Sequence, residues 1–195
     1  MQQAARHIGG WQIRNMGTVG GNLFAPPPAG DFAAALLALD AQVKLSDSDG
    51  HRLLPLSEFY TGFLTTALAP GEMVTEVQVP IPQGKTAFSK LGRKHANTPA
   101  VVTVAAHIIV EGQNVTGARI ALSSVGPHPI RATQAEAALV GSPLDEQAIA
   151  AAGAAASQEC EPFTDAIASE WYRRKMTDVH VRRALAQIAG QEKHT

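Results

Sequence analysis

Thr18-Val19-Gly20-Gly21-Asn22 is the stretch whose residue types and spacing best suit chemistry, and that chemistry is the holding of an anion. Glycine admits positive φ and lets another group come close to the main chain. Successive backbone N–H groups in such a turn form a concavity suited to a phosphate. Gly17 precedes the stretch, three prolines (Pro26, Pro27, Pro28) follow it, and Asp31 opens an apolar run. A tight turn between two elements is the competing reading of the glycines alone, and both stand at this level. Further on, Lys90, Arg93 and Lys94 gather positive charge. That cluster is either a solvated face or a way to set a cation beside a cofactor's ring or phosphate.

Other chemistries find little material. There is no Gly-x-Gly-x-x-Gly and no Gly-x-x-x-x-Gly-Lys-Ser/Thr, so neither nucleotide fingerprint applies. The seven histidines are scattered, and no pair has the i, i+4 spacing of a helical metal site. His107 falls in an apolar run and reads as structural. Cys160, the single cysteine, excludes an internal disulfide and a cysteine-rich metal or iron–sulfur site. No Gly-x-Ser-x-Gly elbow or paired carboxylates supply a nucleophile and a base. If the chain takes part in catalysis, a bound cofactor carries the reaction.

Composition sets the frame. The chain has 195 residues, 45% of them hydrophobic and 17% charged, with a formal net charge of -1. The length fits one large domain or two small ones, and the balanced charge lacks the basic excess of a nucleic-acid binder. The apolar runs Phe32–Leu39 and Ala100–Val110 fall short of the ~20 residues a spanning helix needs. The N-terminus has no signal-peptide core, and the expectation is a cytoplasmic chain.

The elements that must position these residues follow from patterning. Residues 2–12 read as the tail of a helix, and Gln12–Asn15 as a short extended piece delivering the glycine loop. Asp31 is placed as an N-cap for an alanine- and leucine-rich helix, apolar all round and therefore buried. Ala41–Ser46 and His51–Leu54 alternate as strands about a turn at Asp47–Gly50. A short helix follows at Pro55–Tyr60 with Ser57 as a possible cap, and Met73–Val79 is another strand. Pro80–Gly84 marks an internal boundary. Beyond it come three strands, Ala87–Lys94, Val101–Val110 and Val115–Ser124. Three helices follow, at Thr133–Val140, at Asp145–Gln158, and from Thr177 or Asp178 to Ala189, with Gly190 as stop. Trp171-Tyr-Arg-Arg-Lys reads as an anchor of the helix bundle or an interface. Strands first and helices afterwards predict an α+β fold.

These residues resemble a known family. Arg14-Asn-Met-Gly-Thr-Val-Gly-Gly-Asn-Leu, with Ala25-Pro26 and Asp31, is similar to the second flavin-binding motif in FAD subunits of molybdenum hydroxylases. That group includes the medium subunit of aerobic carbon monoxide dehydrogenase and the FAD domain of xanthine dehydrogenase. Ala87-Phe-Ser-Lys-Leu-Gly-Arg-Lys, Gly126-Pro-His-Pro-Ile-Arg-Ala-Thr and Tyr172-Arg-Arg-Lys with Val181-Arg-Arg-Ala-Leu resemble the C-terminal domain of the same flavoproteins.

The resemblance implies the second half of a PCMH-type FAD-binding subdomain over residues 1–82. Over residues 83–195 it implies a C-terminal domain of a three-stranded antiparallel sheet with a helix bundle. It implies that Thr18, Val19, Gly20, Gly21 and Asn22 hold the FAD pyrophosphate region, that Asp31 accepts hydrogen bonds from the ribityl or flavin part, and that Ile8, Val74 and Lys90 line the flavin. It further implies a large subunit with a molybdenum cofactor and a small subunit with 2Fe–2S clusters, from which electrons reach FAD and then an external acceptor.

Two departures matter. The upstream Ala-Gly-Gly-type loop of these subunits has no counterpart here, so a separate chain supplying that N-terminal flavin half is an implied partner. Asn97-Thr98-Pro99 also stands where an acidic–aromatic pair is common. A scaffold or docking module that keeps the fold without gripping FAD tightly is the second reading.

Overall fold

The fold is organised around one strand that is buried on both faces. The computed structural model describes residues 1–25, 30–94 and 97–190. Counting along the chain, the helices are α1 (Gln2–His7), α2 (Trp11–Met16), α3 (Val19–Leu23), α4 (Asp31–Ala38), α5 (Leu56–Phe59), α6 (Thr133–Ala137), α7 (Glu146–Glu159) and α8 (Glu170–Ala189). The strands are β1 (Gln42–Ser46), β2 (His51–Pro55), β3 (Tyr60–Gly62), β4 (Thr65–Thr66), β5 (Met73–Gln78), β6 (Lys85–Gly92), β7 (Ala100–Glu111), β8 (Asn114–Ser123) and β9 (Ile130–Arg131).

Successive side chains of a strand point to opposite faces, and β7 uses both. Val102, Val104, Ala106 and Ile108 join Ile120 and Leu122 of β8 in a core with Ala152, Val181, Ala184 and Leu185 of α7 and α8. The alternate face carries smaller side chains. There Ala105 and Ala121 pack into a second core with Ala34, Ala35 and Ala38 of α4 and with Val43, Leu45 and Phe59. Alanine on both sides lets α4 lie close to the sheet. The sheet order is β6-β7-β8-β9, antiparallel throughout. The three expected strands are thus joined by a two-residue edge strand, β9, just beyond the Gly126–Pro129 turn. A second sheet, β2-β1-β5, stands beside α4, and β3 and β4 form a small hairpin.

Several local expectations change, each for a physical reason. Residues 12–15 are helical rather than extended. Gly9, at φ +49°, turns the chain out of α1, and the Arg14 guanidinium then donates to the carbonyls of Ile8 and Gly9, both at 3.0 Å, holding α2 against that corner. Asp31 is the first residue of α4 and not its cap, which is Gly30. The acceptor for that first turn comes instead from Asn22, whose Oδ1 takes the Phe32 N–H at 2.9 Å. The N-cap of α5 is Pro55, and Ser57 caps nothing.

Helix α8 begins seven positions before Thr177. Ser169 caps it by accepting from the Tyr172 N–H, and the turn that patterning missed carries exposed Trp171 beside wholly buried Arg173. That guanidinium donates to the carbonyls of Val101 (2.7 Å) and Ser124 (2.8 Å) and to both Asp165 carboxylate oxygens (2.8 and 2.9 Å). It locks α8 to the ends of β7 and β8. The triple proline and His95 lie outside the described residues.

Candidate functional site

The glycine loop folds as α3, and its capping explains its residue types. Thr18 is the N-cap, with extended backbone, and its Oγ1 accepts from the Gly21 N–H at 2.9 Å. The first N–H groups of a helix find no carbonyl within their own helix. The Thr18 hydroxyl takes up that of Gly21 and leaves those of Val19 and Gly20. Gly20 and Gly21 are helical, so positive φ is not what requires glycine here. Space is the better reason. A Cβ on Gly20 would meet nothing within 4 Å, while one on Gly21 would come 3.0 Å from the Thr18 hydroxyl oxygen.

Beside α3 lies a groove of about 490 Å³, lined among others by Ile8, Ile13, Met16, Thr18, Val19 and Gly21. Its volume falls within the ~300–1,000 Å³ typical of small-molecule sites. Asn22 also reaches this groove, although its side-chain oxygen is engaged with α4. Of the residues singled out in the sequence, Ile8, Thr18, Val19, Gly21 and Asn22 line one groove, with Gly20 between them on α3. Ile13 and Met16 line it too. Patterning could not place them, because α2 buries no residue and so shows no apolar period.

Asp31 and Lys90 form a separate unit. The Lys90 ammonium lies 2.6 Å from Asp31 Oδ2, and both side chains are only 6% exposed. The Thr103 hydroxyl donates to the other carboxylate oxygen at 3.2 Å, and Lys90 also donates to the His7 carbonyl at 3.2 Å. Burial pushes the Asp31 carboxyl above the ordinary aspartate value, although the Lys90 and Thr103 hydrogen bonds act against it. Because His7 precedes Ile8, this pair abuts the end of α1 that borders the groove. Val74 lies elsewhere, opposite Leu45 on β5 and packed against the second core.

The remaining candidates are structural. His107 is buried, with Nε2 against the Gln83 carbonyl. Cys160 is buried, its thiol donates to the Ser157 carbonyl at 3.2 Å, and burial raises its pKa. A thiol held protonated in apolar surroundings is inert. Among the described residues, no group of three or more His, Cys, Asp or Glu could hold a metal ion. Among the described residues, no helix is long and apolar enough to cross a membrane.

A helix N-terminus with open glycine and an adjoining groove is the class of site that receives a phosphate-bearing cofactor. Comparison with known proteins agrees. Residues 1–82 match the FAD binding domain in molybdopterin dehydrogenase, and residues 86–188 match the CO dehydrogenase flavoprotein C-terminal domain. The glyceraldehyde dehydrogenase medium chain of Sulfolobus acidocaldarius is 34% identical over 97% of this chain and 67% of its own length. The carbon monoxide dehydrogenase medium chain of Afipia carboxidovorans is also 34% identical, over 94% of this chain and 64% of its own. A solved carbon monoxide dehydrogenase from Hydrogenophaga pseudoflava superposes with a TM-score of 0.91 at 34% identity, covering 98% of this chain and 67% of that one. The chain belongs to the FAD-binding medium-chain family of the molybdopterin dehydrogenases, and it spans about two thirds of the length of the curated relatives it matches.

Proposed function

We propose that this chain is the part of an electron-transfer subunit that grips one side of FAD, within a cytoplasmic molybdenum hydroxylase complex. The open space at Gly20, beside the uncommitted N–H groups of Val19 and Gly20, carries the reading. A pyrophosphate oxygen needs close approach to backbone donors, and any side chain at Gly20 would stand in that approach. Thr18 holds the loop helical by taking the Gly21 N–H, and Gly21 leaves room for that cap. Asn22 fixes the spacing between α3 and α4. Ile8 supplies an apolar wall.

Asp31 and Lys90 sit at the end of α1 that borders the groove, where a carboxylate and an ammonium suit the ribityl hydroxyls and the ring of a flavin. Val74 would act through the second core. FAD, when bound, supplies the electron acceptor and donor that the side chains of this chain lack.

On the same reading, residues 1–82 and 83–195 are the two functional units. The partners are a large subunit with the molybdenum cofactor, a small subunit with 2Fe–2S clusters, and a further chain or segment bearing the other flavin half. Exposed Trp11, Ile13 and Met16 suit a face that such a segment covers. The same exposed side chains favour the docking-module reading if FAD binds weakly.

Titrating purified chain with FAD, followed by flavin fluorescence, separates the two. Gly20→Leu should weaken FAD binding at least about tenfold, the loss of ~1.4 kcal/mol of backbone hydrogen bonding. Its thermal midpoint should not fall, since nothing crowds that position. Unchanged affinity in Gly20→Leu, or a colourless chain that still assembles with the other subunits, would overturn the flavin grip and favour docking.

A further inference from the structure

Along its buried length β7 is apolar except at Thr103 and His107. The His107 ring is met by the Gln83 carbonyl. Thr103 is wholly buried and has the shape of valine, so packing gives no reason for its hydroxyl. A buried hydroxyl costs free energy unless it is hydrogen-bonded.

Strand register shows what the hydroxyl is for. Thr103 stands opposite Lys90 of β6 and Ser123 of β8. Lys90 and Thr103 both reach Asp31 at the start of α4, one to each carboxylate oxygen, at 2.6 and 3.2 Å. Two neighbouring strands therefore hold the two oxygens, which fixes the plane of the carboxylate. Asp31 is itself only 4% exposed. Lys90, by contrast, lines an open hollow with His7, and its ammonium is the member of the pair that a flavin ring can meet.

The groups that face Asp31, among the described residues, are Lys90 from β6, Thr103 from β7 and, through its charge, His7 from α1. Burial lifts the Asp31 carboxyl above the ordinary aspartate value, and the hydrogen bonds from Lys90 and then Thr103 oppose it. Hydrogen bonding to the charged form favours that form. Without the Thr103 hydroxyl the carboxylate would take up a proton more readily and release Lys90.

We propose that Thr103 is a positioning residue for the cofactor: through Asp31 it sets where the Lys90 ammonium stands at the flavin ring. The inference rests on the flavin grip described above and adds a residue that never touches the ligand.

The test titrates the full chain with FAD across a range of pH, by flavin fluorescence. Thr103→Val keeps the shape and removes the hydroxyl. It should weaken binding about tenfold, one charge-assisted hydrogen bond. It should also move the acid-side loss of affinity to higher pH, because Asp31 protonates earlier. Thr103→Ser, which restores the hydroxyl without the methyl group, should recover both. Ser123→Ala should change neither, since that hydroxyl is not among the partners of Asp31. Parent-like binding by Thr103→Val, an unshifted pH profile, or equal weakening by the valine and serine variants would mark Thr103 as packing and overturn this inference alone. A parent chain that binds no FAD would overturn the flavin grip, and this inference with it.

Discussion

Residues 1–25 and the sheet-and-helix block that follows residue 84 use apolar side chains in opposite ways. Across α1, α2 and α3 only Ala4 and Leu23 are buried, and Trp11, Ile13, Met16 and Val19 face outward. In the block, β7 is buried along nine consecutive positions from its start, and α8 buries even an arginine and a histidine. The contrast separates two kinds of stability. The block buries its strands and helices deeply and pairs most of the Arg173 guanidinium from within. The first segment is held by a few hydrogen bonds, chiefly from Arg14 and Asn22, and leaves one surface to be finished by whatever docks there.

Ways to break this contrast can be ranked by effect. Arg173→Met should be the most damaging change, at about 3–5 kcal/mol, because it strands the Val101 and Ser124 carbonyls and Asp165. Urea denaturation followed by circular dichroism measures it. A loss under ~1 kcal/mol would mean that the block does not depend on its buried polar network.

The joint between the two regions comes next. Asp31→Ala leaves Lys90 buried with only the His7 carbonyl, at a cost of about 3 kcal/mol. Asp31→Asn should cost less, since it keeps the Thr103 hydrogen bond and removes a carboxylate whose ionisation burial already disfavours. Equal losses in thermal unfolding would contradict that account.

His180 tests the block's response to pH. Its folded pKa is about 4 because of burial first and Arg183 second, against 6.5 for the exposed ring. Between these values the unfolded chain binds a proton that the folded chain refuses, so stability falls as pH drops from ~6.5 to ~4. His180→Leu should flatten the stability curve within that window. A slope identical to that of the parent would remove His180 as its source.

The smallest effect belongs to the open segment. Trp11→Ser with Met16→Ser should change stability by no more than about 0.5 kcal/mol, since neither side chain is buried. The same pair should nevertheless weaken association with a chain that completes the flavin site. A large loss of stability instead would show that this surface is already in use.

The sequence was most legible where one element fills one environment. β1, β6, β7, β8 and α7 carry apolar residues at the spacing their burial demands, and each was placed to within two or three residues. Legibility failed where long-range hydrogen bonds replace apolar spacing. Nothing local to residues 12–15 announces α2, because Arg14 secures it through the backbone of α1. The start of α8 was hidden because Arg173 looks like a surface residue until Asp165 and the strand-end carbonyls are set around it. The glycine loop was legible as a motif, but its helical form and the engagement of Asn22 with Phe32 emerge only in three dimensions.

Gly153, in the alanine-rich run that patterning treats as ordinary helix, bears on the opposite side of the molecule. A Cβ there would collide with Asp178 and Arg182, so α7 and α8 approach closely along a seam of Ala152, Gly153 and Ala156. That seam acts as a shim behind α8. Widening it by one methyl group would rotate or lift the helix that carries His180 and Arg183 relative to β6. The seat of α8 against the sheet is therefore set from its other side, by the absence of one methyl group.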